Sequence, residues 1–186
     1  MNNLLHRGRW IAVAAVATLA TLAATLRGSE EEQPPRYVGV DWCAQCHDSK
    51  ATGRQVEVWR QSPHGQAWKR LGSEQAIKVA AKYGIMDPQN ALQCLRCHTT
   101  GAGESKSRFA DSFKKENGVQ CESCHGPGEK YAKITHMIDD AKASAAGLLD
   151  PGPKVCKQCH NDQSPTFAGF DYEAAVKKIR HPLAAY

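Results

Sequence analysis

Four repeats of Cys-x-x-Cys-His run through the chain: Cys43, Cys46 and His47; Cys94, Cys97 and His98; Cys121, Cys124 and His125; Cys156, Cys159 and His160. They hold all eight cysteines. Two thiols at this spacing lie on one turn and can form thioethers with the two vinyl groups of a porphyrin, and the histidine after the second thiol can reach the iron beneath. Each repeat therefore reads as a covalent c-type haem site. The eight cysteines are the attachment points and His47, His98, His125 and His160 the proximal iron ligands. A four-thiolate zinc site or a disulfide framework would use the same cysteines. Neither requires the histidines. With 8 histidines in 186 residues, a position is His by chance about 4% of the time, so four in register select haem.

Four irons need up to four further ligands. The remaining histidines are His6, His64, His136 and His181, and His6 precedes an apolar segment at the N-terminus. Three distal candidates, His64, His136 and His181, are left for four irons. Either one haem keeps an open face, or Met86, Met137 or a neighbouring chain completes it. The difference decides the chemistry, because a bis-histidine haem passes electrons while an open haem also binds NO, CO or a nitrogen substrate.

The elements that must position these groups read as short helices joined by Gly/Pro turns, with no strand alternation. Ser62-Pro63-His64 predicts a helix start with Ser62 as N-cap, bringing His64, Ala67, Trp68 and Leu71 onto one face. A structural helix is expected over 73–83, closed by Gly84. The clearest helix is expected from Glu129 to about Gly147, with Tyr131, Ile134, Ile138, Ala141, Ala145 and Leu148 as its apolar stripe. His136 falls on the opposite side of that stripe. It is there either beside a porphyrin admitted by the small Ala132 and Ala143, or solvated near Lys133 and Asp140. A last helix from about Asp171 turns Tyr172, Val176 and Ile179 inward, and Pro182 stops it at His181.

Residues 1–27 have the form of an export signal: a basic start with Arg7 and Arg9, then the apolar run 10–26. It is expected to be removed, or kept as a membrane anchor. Residues 28–36 read as a linker and 37–186 as a single haem-bearing domain, lying in the periplasm. That domain has few long aliphatic runs, so porphyrins would form most of its core and haem removal should unfold it. The formal charge is +5, of which Arg7, Arg9 and Arg27 belong to the leader. Eight propionates and four ferric centres would bring the mature protein to about −2, which argues against a nucleic-acid partner.

Several segments resemble the cytochrome c-554 family of tetrahaem cytochromes, known from ammonia-oxidising bacteria. They are Tyr37-Val38-Gly39, Ser62-Pro63-His64, the stretch from Cys97 to Gly101, the stretch from Gly118 to Gly128, Cys159-His160-Asn161 with the segment Ser164 to Phe167, and Lys178 to Pro182. The resemblance implies a mainly α multihaem fold around closely packed haems. It implies that His136 ligates the first iron, His181 the third and His64 the fourth, leaving the second, on His98, five-coordinate with Ser164 to Phe167 near its distal face. The spacing of the residues alone does not say which histidine crosses to which iron.

By that resemblance the protein is an electron carrier rather than an enzyme, taking electrons from an octahaem hydroxylamine-oxidising enzyme towards a membrane cytochrome that feeds quinone. Two other readings stand beside it: a small NO reductase working at the His98 haem, and a subunit of a polymeric haem filament.

Overall fold

A computed structural model describes residues 33–182. The described residues from Pro34 onward form one compact unit. The expected leader, His6 and most of the 28–36 linker lie outside the described residues.

Among the described residues, ten helices of eight residues or fewer carry the chain: α1 (Val40–His47), α2 (Gln55–Gln61), α3 (Ala67–Leu71), α4 (Glu74–Ala81), α5 (Leu92–His98), α6 (Glu122–His125), α7 (Ile134–Met137), α8 (Asp140–Ala145), α9 (Pro153–Cys156) and α10 (Tyr172–Ile179). The only strand-like pairing there is an isolated parallel bridge between Tyr37 and Phe109. The fold is therefore mainly α, as expected. Helices this short are marginal alone, so packing and caps must hold them.

The caps agree with the sequence at two places. Ser73 accepts the Ala76 N–H at 3.2 Å to start α4, and Asp171 accepts the Ala174 N–H at 3.1 Å to start α10. On α10, Tyr172, Val176 and Ile179 are half-buried, as their spacing predicts.

Two expectations are corrected. Ser62 does not open a helix: its hydroxyl donates to the Trp59 carbonyl at 2.7 Å and closes α2, while α3 starts only at Ala67. A serine can serve either helix end, and here the preceding helix takes it. Nor is 129–147 one helix. Asp139 breaks it by accepting the Lys142 N–H at 3.1 Å as the N-cap of α8, separate from α7. The predicted stripe is lost with it: Ile134 is 64% and Ile138 65% exposed, whereas Ala143 on the other side is 1% exposed.

The protein core is thin. Buried apolar side chains among the described residues are Val38, Val40, Val56, Ala67, Leu71, Ala80, Tyr131 and Ala143. Buried polar groups do much of the joining. Gln120 accepts the Val40 N–H at 2.8 Å and donates to the Lys114 carbonyl at 3.0 Å, and its own N–H bonds to the Thr100 hydroxyl at 2.7 Å. Glu122 takes the N–H groups of Val38, Gly39 and Gly128. Tyr37, Phe109 and Phe113 add an aromatic cluster, with centroids 5.5 Å apart for the first pair and 4.6 Å for Phe109 and Phe113. Together these contacts fix the chain leading into the first Cys-x-x-Cys-His repeat against the chain leading into the third.

Candidate haem-binding site

Each repeat sits on a helix or at one of its ends. Cys43, Cys46 and His47 lie within α1, and Cys94, Cys97 and His98 within α5. Cys121 is the N-cap of α6, which carries Cys124 and His125. Cys156 ends α9, and Cys159 and His160 follow in a turn that continues it. The His125 N–H bonds the Cys121 carbonyl and the His160 N–H the Cys156 carbonyl, both at 2.9 Å, so each histidine stands one helical turn beyond its first cysteine. Residues at i, i+3 and i+4 share one face, which puts two thiols and an imidazole on the same side.

The eight thiols are all free, and those of different repeats adjoin. The Cys43 thiol lies beside that of Cys121 and the Cys159 thiol beside that of Cys97, with Cys159 Sγ also 3.8 Å from the Arg96 carbonyl inside the second repeat, while Cys124 lies within electrostatic reach of Cys156. The contact with Cys121, followed by burial, pushes the Cys43 thiol up. Burial raises Cys124 to about 11 and Cys159 to about 12. Among the described residues no group of three or more His, Cys, Asp or Glu side chains converges to hold a bare metal ion.

The histidines are oriented by the backbone. His98 Nδ1 lies 2.8 Å from the Ala67 carbonyl, His125 Nδ1 3.0 Å from that of Leu149, and His136 Nδ1 2.8 Å from that of Lys130. A carbonyl can only accept, so the hydrogen resides on Nδ1 and the lone pair on Nε2, where a metal can bind. Burial lowers the pKa of His64 and of His125, which keeps both neutral.

Two pairs of histidines face each other across long stretches of chain. The rings of His64 and His160 have centroids 6.0 Å apart, as do those of His125 and His181. An imidazole nitrogen binds a metal at about 2 Å and the ring centroid lies roughly 1 Å beyond it, so rings on opposite sides of one ion have centroids roughly 6 Å apart. The two pairs fit that span. No ring contact joins His47 to His136 or sets a second imidazole against His98 among the described residues. Met86 is 90% exposed.

The position of His64 depends on residues that spacing alone did not reveal. Its carbonyl accepts the N–H groups of Ala67 and Val119, both at 3.1 Å, and the Trp59 indole donates to the Val119 carbonyl at 2.7 Å. Gly118 makes this approach possible: its φ is +71°, and a Cβ there would lie 2.9 Å from the His64 oxygen. Phe170 stacks on His160 with centroids 4.6 Å apart and was not anticipated; an aromatic ten residues after a proximal histidine was the only signal. Phe167, in the segment Ser164 to Phe167, is 41% exposed.

Comparison with known proteins accords with these features. The family described as Cytochrome c554 and c-prime matches residues 42–126, which include the first three repeats. Cytochrome c-554 of Nitrosomonas europaea is 28% identical over 176 residues, covering 90% of this chain and 72% of that protein. No solved structure matches. The four repeats, the helical fold that carries them and these two matches point the same way: the chain is similar to the cytochrome c554 and c-prime family across its first three repeats and to one cytochrome c-554 along most of its length.

Proposed function

We propose that the protein is a periplasmic tetrahaem electron carrier. Similarity to the cytochrome c554 and c-prime family supports covalently bound c-type haem and electron transport. The count of four rests on the four repeats. Cys43 and Cys46, Cys94 and Cys97, Cys121 and Cys124, and Cys156 and Cys159 each hold one porphyrin, with His47, His98, His125 and His160 as proximal ligands. Haem bound in this way supplies one-electron chemistry.

The observation that carries the reading is the adjacency of the repeats. Through Cys43 with Cys121, Cys124 with Cys156, and Cys159 with Cys97, they form one unbroken series in the order first, third, fourth, second. No repeat stands apart, which is the arrangement a carrier needs and a set of independent sites does not. The ring separations of 6.0 Å support His64 as the partner of His160 and His181 as the partner of His125. His136, with Nδ1 engaged by the Lys130 carbonyl, is assigned to the iron at His47 on the family resemblance.

His98 then has no second histidine. A five-coordinate iron there would bind NO, so an accessory NO reductase activity is the second reading, favoured by the absence of a ring opposite His98 among the described residues. The donor is proposed to be an octahaem hydroxylamine-oxidising enzyme or similar protein, and the acceptor a membrane cytochrome. Residues 10–26 would act as export signal or tether. Among the described residues no helix is long and apolar enough to cross a membrane.

Intact-mass measurement of the protein matured in a c-type cytochrome-producing host tests the cofactor count: four haem additions are expected, and an unmodified chain overturns the reading. Rapid mixing with a one-electron donor tests transport. All haem absorbance should reduce in a phase set by donor concentration, whereas a fraction that stays oxidised would break the proposed series.

A further inference from the structure

Glu122 is the buried charged side chain among the described residues, 3% exposed. Its Oε1 accepts the N–H groups of Val38 at 2.8 Å and Gly128 at 2.7 Å, and its Oε2 that of Gly39 at 2.8 Å. Donors alone face the carboxylate, and no ion pair involves it among the described residues. A shell made only of donors suits the ionised form. Burial is the larger effect and raises this carboxyl above its ordinary value, against the pull of the three N–H groups that hold the ionised form.

A buried charge without a cation is costly. Joining the two chain segments does not by itself call for one, because Gln120 binds the Val40 N–H at 2.8 Å with a neutral amide. The place of the charge is more telling. Glu122 follows Cys121 directly, and Gly39, which it binds, offers its carbonyl to the Cys43 thiol at 3.6 Å. The charge is felt at the Cys43 and Cys121 thiols and at the Tyr131 hydroxyl. The Tyr131 hydroxyl is itself committed to the Gly126 carbonyl at 2.7 Å.

We propose that Glu122 is a fixed negative charge set between the first and third repeats, where it lowers the reduction potentials of the haems on Cys43/Cys46 and Cys121/Cys124. The proposal rests on the tetrahaem reading. A ferric iron-porphyrin carries one more positive charge than the ferrous form, so a nearby anion favours oxidation. In a buried site of low dielectric the effect is strong and little screened by salt. No charged side chain is comparably buried beside the Cys94 or Cys156 repeats among the described residues. Glu122 would thus separate a lower-potential pair of haems from a higher-potential pair and give the series a direction.

Two variants of the haem-loaded protein distinguish charge from geometry. Glu122→Gln keeps the length and removes the charge; Glu122→Asp keeps the charge and shortens the arm. After haem counting by intact mass, spectroelectrochemical titration should show two of four potentials raised in Glu122→Gln and all four close to wild type in Glu122→Asp. Equal shifts in both variants, shifts of all four haems, no shift, or failure of Glu122→Gln alone to load haem would each make the residue structural and overturn the proposal. Fewer than four haems on the wild-type protein would instead strike the tetrahaem reading itself.

Discussion

His64 and His181, the proposed distal ligands, owe their positions to quite different parts of the chain. Burial keeps His64 neutral, and its carbonyl is pinned by Ala67 and Val119; His181 stands directly after the Arg180 that ends α10. Replacing either by Ala should convert one low-spin haem to high spin in the ferric EPR spectrum and leave the others, and His6→Ala should change none. The Cys-x-x-Cys-His repeats were legible in the sequence because their chemistry is local to five residues. The partners of the proposed distal histidines could not be read from spacing and came only from the family resemblance, since His64 and His160 are nearly a hundred residues apart and only tertiary structure brings their rings to 6.0 Å. The carbonyls of Ala67, Leu149 and Lys130 that orient three imidazoles were invisible for the same reason. A backbone carbonyl has no residue type to read.

At the scale of elements, caps matter more than intrinsic helix stability because every helix here is short. Asp171 starts the helix that delivers His181. Asp171→Ala should lower stability by about 1 kcal/mol in chemical denaturation and broaden the low-spin signal of one haem. Asp139 does the same for α8, and its contacts with Lys142, first the backbone N–H and then the side chain, hold its carboxyl below the usual range. Its folded pKa lies below the unfolded one, so its contribution is complete above about pH 4 and is lost as pH falls through the folded value. Asp139→Asn, which retains a capping oxygen, should flatten that acid limb of the stability curve. The helix over 129–147 was misread for a related reason. The apolar spacing looked continuous, yet Asp139 and Asp140 within it form a new helix start, and a cap outweighs periodicity when the helix is too short to gain from propagation. Ser62 shows the reverse ambiguity, since a hydroxyl can finish one helix as readily as begin the next.

For the whole molecule, the sequence foresaw a mainly α fold with too little aliphatic residue to form a core of its own, and the buried apolar set bears this out: it consists largely of valines and alanines. What it did not reveal is the polar joinery of Thr100, Gln120 and Glu122, because burial of such side chains depends on where the chain crosses itself. Porphyrins supply far more apolar surface than these side chains. Chain expressed without haem attachment, for instance with all eight cysteines replaced by Ala, should therefore lack cooperative thermal unfolding by circular dichroism, while the haem-loaded protein unfolds in one cooperative transition. The central claim is that three histidines, His64, His136 and His181, serve four irons and leave the one on His98 open. Low-temperature EPR of the purified ferric protein tests it most directly: three low-spin haems and one high-spin haem are predicted, and four low-spin haems would contradict it.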